Sequence, residues 1–321
     1  MIDNIGRKIE YLRISITDRC NLRCSYCMPH GCESIEHEDV LRFEEFLKLA
    51  ELFARVGIKY VRVTGGEPMV RKGAVDFIAN LKKVPGIEAV SMTTNGVLLA
   101  KYADELKKAG LDSVNISLDT PCPELADKIT GCKGIVQSVN EGIAAMRERG
   151  ITVKLNAVLL KETAHTLTDL TKYAEVGIPL RFIELMPMGC GNPLEGISAK
   201  EALGMLQEKY PDLHSVDANL GSGPAHYYES AALKAPIGMI DAVSHRFCES
   251  CNRVRLTSTG VLKPCLCFDQ HVDLKALLRG GASEEELLDA IQKGIFSKPR
   301  QHCFDEIKDR TENKLMSQIG G

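Results

Sequence analysis

Six short β-branched runs alternate with amphipathic helical stretches roughly every thirty residues, the length of one strand–crossover–strand unit. The runs span residues 12–16, 60–64, 89–93, 113–118, 152–159 and 180–185. Between them, Phe43, Phe46, Leu47, Ala50 and Phe53 recur at helical spacing, and further helical patterns cover 74–83, 102–109, 135–149 and 167–176. Gly57, Gly110, Gly150 and Gly177 each follow a helical run just before a strand, where a left-handed C′ residue is needed. Such a succession of β/α units predicts an α/β chain with a parallel sheet and right-handed crossovers, either doubly wound or a barrel. After Met186 the rhythm stops. GCGNPLEGIS reads as a loop, one more helix is expected over 199–209, and a smaller C-terminal unit is expected to begin near residue 221.

Polar residues gather where each strand ends. The second strand runs into Thr64-Gly65-Gly66-Glu67-Pro68 and the third into Thr94-Asn95-Gly96. The fourth carries Asn115, Ser117 and Asp119, the fifth Lys154 and Asn156, and the sixth Glu184 and Met186. Carboxyl ends of parallel strands are where such folds bind ligands, although turn chemistry alone would also favour these residue types. Cations sit inside the strands too: Arg13 between Leu12 and Ile14, Arg62 between Val61 and Val63, Lys154 between Val153 and Leu155. Alternation sends the aliphatic side chains to one face and the cations to the other. Buried there, the cations need either a bound anion or internal partners, with Glu67, Asp119 and Glu184 as candidates.

Cys20, Cys24 and Cys27 form a C-x3-C-x2-C loop, CNLRCSYC, directly after the first strand. Three soft thiolates can hold three corners of an iron–sulfur cube and leave one iron open for chemistry. Cys32 could instead close the site as zinc or an electron-transfer cluster. The start, MIDNIGRKIEYLRI, lacks a secretory apolar core, so the twelve cysteines are expected to be metal or cluster ligands of a cytoplasmic protein rather than disulfides. A second group, Cys248, Cys251 and Cys265, has C-x2-C-x13-C spacing with Cys267 close behind. A four-cysteine zinc site fits that pattern as well. Arg253 and Arg255 lie between, on one face of a short strand, and suggest contacts to phosphate oxygens.

The net charge of −3 and a pI near 6.3 argue against a broad nucleic-acid-binding face, and no stretch is long enough for a membrane span.

A C-x3-C-x2-C loop after a strand, followed by Gly-Gly-Glu-Pro on the next, resembles the radical S-adenosylmethionine (SAM) enzymes. The resemblance extends along nearly the whole chain to the GTP 3′,8-cyclase family, which catalyses the first step of molybdenum cofactor biosynthesis. It rests on LRISITDRCNLRCSYCMP, VRVTGGEPMVRKG, TTNG, NISLDT, KLNAV, RFIELMP, PAHYY, IGMIDAVSHRFCESCNRVRL and a terminal Gly320-Gly321. It implies a partial TIM-type barrel of about six β/α units (residues 1–220) and a C-terminal cluster-binding domain (residues 221–321). Cys20, Cys24 and Cys27 would hold a [4Fe–4S] cluster that chelates SAM, with Tyr26, Gly66, Ser117 and Met186 contacting SAM. Cys248, Cys251 and Cys265 would hold a second [4Fe–4S] cluster facing the guanine base. Arg13, Arg62, Thr93, Lys154, Arg253, Val254 and Arg255 would contact GTP.

The implied chemistry cleaves SAM to a 5′-deoxyadenosyl radical, which removes H3′ of GTP so that C3′ can attack C8. The resemblance also implies an electron donor such as flavodoxin or ferredoxin, a cyclic pyranopterin synthase that takes the product, and a homodimer. The terminal glycines would reach the active site. Cys122, Cys132, Cys190 and Cys303 are expected to be buried thiols. Two other readings stand beside this one: another two-cluster radical SAM enzyme, such as a peptide-modifying maturase, or a non-catalytic iron–sulfur or zinc protein. The cationic strands and the Arg253–Arg255 pair favour a triphosphate over a peptide.

Overall fold

The computed structural model describes residues 1–31, 35–218, 220–221, 223–304, 312 and 314–319; Cys32 and Gly320-Gly321 lie outside them. Strands β1 (Tyr11–Ser15), β2 (Tyr60–Thr64), β3 (Ala89–Thr94), β4 (Ser113–Ser117), β5 (Thr152–Leu159) and β6 (Leu180–Glu184) pair in parallel, in chain order. Helices α1 (Phe43–Arg55), α2 (Ala74–Leu81), α3 (Leu99–Lys108), α4 (Pro123–Thr130), α5 (Ile135–Glu148) and α6 (Thr171–Glu175) supply the crossovers. All six strands fall where the aliphatic alternation places them. Gly57, Gly110, Gly150 and Gly177 all take positive φ. The aliphatic face is dry: Leu12, Ile14, Val63 and Leu155 have no exposed surface and pack with Phe46, Phe53 and Phe77 from the helices.

Two helical segments differ from expectation. Residues 161–170 form a 3-10 helix, and only residues 171–175 are α-helical. Threonines cause this. The Thr163, Thr166 and Thr171 hydroxyls bond to the carbonyls of Leu160, Thr163 and Thr168, each three residues back, which suits the tighter helix. Helix α4 has no apolar period long enough to stand out, but Pro123 opens it and Gly131 follows it with φ +67°.

The C-terminal segment contributes to both edges of the same sheet. After α7 (Ala199–Lys209) come β7 (His214–Val216), β8 (His226–Glu229), β9 (Ile237–Ile240), β10 (Arg253–Leu256), β11 (Val261–Lys263) and β12 (Val272–Asp273). Strand β9 adds in parallel beside β6, and β10 adds in parallel beside β1. Antiparallel β8–β7 and β11–β12 finish the edges, giving a twelve-strand order β12-β11-β10-β1-β2-β3-β4-β5-β6-β9-β8-β7. The sheet is thus an incomplete barrel whose two edges are both lined by the last third of the chain. Helices α8 (Leu274–Arg279), α9 (Glu284–Phe296) and α10 (Met316–Ile319) follow. No described helix is long and apolar enough to cross a membrane.

A buried ion pair holds the tail: Lys263 at the end of β11 meets Glu312, and both side chains are 1% exposed. The other Glu312 carboxylate oxygen accepts the Lys314 amide at 2.8 Å. Removing one member of such a pair strands the other charge in the core. Glu312→Gln is expected to lose about 3–5 kcal/mol in denaturant unfolding, while the double change Lys263→Met with Glu312→Leu recovers most of it. A Glu312→Gln protein as stable as the parent would show that the pair does not anchor the tail.

Candidate active site

The first cysteine loop is fixed by the Gly-Gly-Glu-Pro turn. The Gly66 amide bonds to the Thr17 carbonyl at 2.7 Å, and the Glu67 amide to that of Arg19 at 2.8 Å. A Cβ on Gly66 would stand 2.4 Å from the Arg19 carbonyl oxygen, so only glycine permits this approach. The Glu67 carboxylate accepts the Asn95 amide at 2.7 Å, the Thr94 hydroxyl at 2.8 Å and the Met69 amide at 3.0 Å. It therefore brackets the ends of β2 and β3, although burial raises its pKa to about 7. Asn95 in turn donates to Asn21 at 2.8 Å and reaches toward the Cys20 sulfur.

Cys24 lines a small pocket with Tyr26, Asn95, Ser117 and Asp119. The Tyr26 hydroxyl donates to Asp119 at 2.9 Å, and the other Asp119 oxygen accepts the Val158 amide at 2.8 Å. Burial lifts Asp119 to about 6 and Cys27 to about 12, and pushes Cys20 and Cys24 up as well. Such thiols need a cation's help to ionise, which an iron–sulfur cluster held by this loop would supply. Met186 lies across the loop. A Cβ on Gly191 would stand 3.1 Å from the Met186 carbonyl oxygen and 3.6 Å from that of Tyr26. The Ser317 amide of α10 bonds to Cys27, and Cys190 lies close enough to raise its pKa.

The register builds a polar row across the sheet. Arg255, Arg13, Arg62 and Ser91 are cross-strand neighbours, as are Asn115 with Lys154 and Asn156 with Arg181. Arg181 is a residue that the sequence reading missed. It sits between Leu180 and Phe182, so the alternation that exposed Arg62 and Lys154 could have found it. It is 5% exposed; its Nε donates to Asn156 at 3.0 Å, and its Nη2 is buried with no hydrogen-bond acceptor. Arg253 Nε is likewise buried without an acceptor, and its guanidinium lies 5.1 Å from the Phe247 ring centre. Arg62 donates to Tyr11 and, at 3.5 Å, to Thr93. Lys154 donates to the Leu220 carbonyl.

Burial, reinforced by neighbouring cations, lowers the pKa of Arg13, Lys154, Arg181 and Arg255. Lys154 falls to about 8 beside Arg181 and Arg62, and Arg181 and Arg255 each to about 10; Arg13 is also well depressed. The carboxylates that could have neutralised them are engaged elsewhere. Glu67 and Asp119 are bonded as above, and Glu184 accepts from Ala199, Val243 and both the amide and hydroxyl of Ser244. Internal pairing through those three residues is therefore not how the cations are held. Val254 is fully buried, and strand alternation puts its side chain on the face opposite Arg253 and Arg255.

Cys248 and Cys251 flank a 3-10 turn before β10, and Cys265 follows β11; all three are half-buried. Burial raises Cys251, yet Lys298 and Arg253 outweigh it and bring the thiol down to about 7. Cys267 is buried with its sulfur 3.1 Å from that of Cys303. The remaining thiols differ from expectation: Cys122, Cys132 and Cys190 are only half-buried. A single tetrahedral zinc ion needs sulfur atoms about 3.8 Å apart, from Zn–S bonds of about 2.3 Å. Among the described residues, neither cysteine triplet brings three donor atoms all within 4.8 Å of one another.

The radical SAM superfamily model matches residues 14–174, and the Molybdenum Cofactor Synthesis C model matches residues 178–304. The chain is 45% identical over 334 residues to GTP 3′,8-cyclase of Heliobacterium modesticaldum. It is 42% identical over 325 residues to GTP 3′,8-cyclase of Clostridium perfringens, and each match covers 100% of both chains. Streptococcus suis SuiB bound to S-adenosylmethionine is similar in fold, with a TM-score of 0.65 at 15% identity over 98% of this chain and 78% of that one. Fold, cysteine loop and family model together define a radical SAM protein. Within that superfamily, the chain belongs to the GTP 3′,8-cyclase family.

Gly66→Ala tests the fit of the turn against the loop. It is expected to cost more than about 2 kcal/mol in denaturant unfolding, as overpacking against backbone does, and to lower the iron bound after reconstitution. Full iron content and unchanged stability would mean that the close approach relaxes freely.

Proposed function

We propose that this chain catalyses the SAM-dependent 3′,8-cyclisation of GTP, the first step of molybdenum cofactor biosynthesis. The observation that carries this reading is the row of buried cations across the sheet, in which Arg181 Nη2 and Arg253 Nε are buried with no hydrogen-bond acceptor. Such a row is costly unless an anion enters, and a nucleoside triphosphate supplies several charges at once. Family membership over the full length supports the same substrate.

In this reading residues 1–220 carry the SAM half of the site, and residues 221–321 bring the second cysteine group and the arginine pair. Cys20, Cys24 and Cys27 hold the first cluster, which when bound supplies the electron that splits SAM to a 5′-deoxyadenosyl radical. Tyr26, Gly66, Ser117 and Met186 surround SAM. Arg13, Arg62, Lys154, Arg181, Arg253 and Arg255 bind and orient the triphosphate and ribose, with Thr93 steadying Arg62 and the Val254 backbone beside the arginine pair. Cys248, Cys251 and Cys265 hold a second cluster facing the base. Orientation and exclusion of water are the protein's share of the work. A ferredoxin or flavodoxin is the proposed electron source, and a cyclic pyranopterin synthase the consumer of the product.

The test is anaerobic incubation of reduced, reconstituted protein, carrying about eight irons per chain for two cubanes, with SAM and GTP. GTP-dependent 5′-deoxyadenosine and a 3′,8-cyclised nucleotide are expected. Arg253→Ala and Arg255→Ala should lose GTP binding while keeping dithionite-driven SAM cleavage. Deoxyadenosine formed regardless of GTP, with no cyclised product, would refute the proposal.

Lys154 gives the substrate site a pH signature. Its ordinary pKa of 10.5 falls to about 8 through burial beside Arg181 and Arg62. The unfolded chain therefore holds this proton more tightly, and the empty protein gains stability as pH rises from about 8 toward 10.5. A triphosphate needs the charged form, so affinity moves the opposite way. GTP binding to the wild type should weaken above pH 8 with a slope approaching about tenfold per pH unit. Lys154→Gln should bind more weakly and show a flatter profile. Identical profiles would remove Lys154 from the site.

A further inference from the structure

His226, Asp241 and His245 make a third centre of metal-ligating side chains, outside both cysteine groups and unused by the cyclisation. His226 opens β8, Asp241 follows the last residue of β9, and His245 ends the turn that leads into Cys248. Their donor atoms all lie within 4.8 Å of one another. The His245 Nδ1 stands 3.5 Å from one Asp241 oxygen, and the His226 Nε2 stands 3.9 Å from the other. Both separations are too long for hydrogen bonds. They are close to the roughly 3.4 Å between donors that share a tetrahedral ion at about 2.1 Å.

The carboxylate itself points the same way. Asp241 is continuous in register with Glu184, since Phe182 pairs with Met239 and Ile183 with Ile240. The two acids are treated differently. Glu184 satisfies both oxygens with three amides and a hydroxyl, whereas Asp241 Oδ1 is buried and accepts no hydrogen bond. A buried oxygen of this kind costs free energy unless something outside the protein answers it. The imidazoles are 5.7 Å apart at 71° to each other, so they do not stack, and both are exposed on the solvent side.

We propose that His226, Asp241 and His245 bind one divalent transition-metal ion of the zinc class, with water completing the coordination. Two imidazoles and a carboxylate suit zinc and its neighbours rather than calcium or magnesium. The ion would tie β8 to the end of β9 and pinch the turn already closed by the His245 amide on the Asp241 carbonyl at 3.1 Å. Its role is to brace the approach to Cys248 without touching SAM or GTP.

The experiment uses cluster-loaded protein, dialysed anaerobically against limiting zinc(II), with iron counted before and after. One zinc per chain is expected above unchanged iron. X-ray absorption at the zinc edge should show nitrogen and oxygen neighbours at about 2.0–2.1 Å and no sulfur at about 2.3 Å. Zinc should raise the melting temperature of the wild type. Asp241→Asn, and His226→Ala combined with His245→Ala, should fold and keep their iron but bind zinc at least about tenfold more weakly and lose the thermal shift. Sulfur in the zinc shell, displaced iron, no zinc bound, or undiminished binding by the variants would overturn the proposal. None of these readouts depends on GTP turnover, so failure here leaves the cyclase reading intact.

Discussion

A parallel sheet ordinarily buries hydrophobic residues on both faces. Here one face does so and the other does not, and the rest of the molecule depends on that asymmetry. Leu12, Ile14, Val61, Val63 and Leu155 are sealed beneath the helices, while Arg13, Arg62, Lys154 and Arg181 project from the opposite face of the same strands. Repulsion and desolvation among these cations disfavour collapse of the lumen onto itself. The sheet therefore stays an incomplete barrel around a polar space, and its edges are extended rather than joined.

The acidic residues inside the barrel act as brackets instead of counter-charges. Glu67 clamps two strand ends and so seats the cysteine loop; Asp119 orients Tyr26 and pins β5; Glu184 caps α7 and gathers the turn at 243–244. Carboxylates engaged by backbone and hydroxyl donors in this way do not serve as the counter-charges of the cation row. Stability and ligand affinity are thus divided between two sets of charges that share one small volume.

The C-terminal third draws the two halves of the site together. Because β10 pairs with β1 and β9 with β6, Arg253 and Arg255 extend the row begun by Arg13; Cys248 and Cys251 precede β10, at the sheet end opposite the first cysteine loop, which follows β1. The tail returns as well: Glu312 is locked to Lys263, and Ser317 reaches Cys27. The histidine–aspartate centre lies where β9 hands over to this segment, which is where a brace would hold the second cysteine group in register with the first.

Much of this was legible in the amino-acid order, because period and spacing are local. Two-residue alternation located all six strands and aimed Arg13, Arg62 and Lys154 inward; the cysteine spacings and Gly-Gly-Glu-Pro marked the family. Arg181 was legible by the same alternation and went unread. The 3-10 stretch at 161–170 turned on hydroxyl-to-carbonyl bonds that a hydrophobic period does not register. Other features depend on residues far apart in the chain: the pairing of β9 and β10 with opposite edges, the engagement of Glu67, Asp119 and Glu184, and the meeting of His226 with Asp241 and His245. Local sequence carries side-chain direction and turn chemistry. Which charges find partners, and which remain for a ligand, is decided only when non-local strands close the space between them.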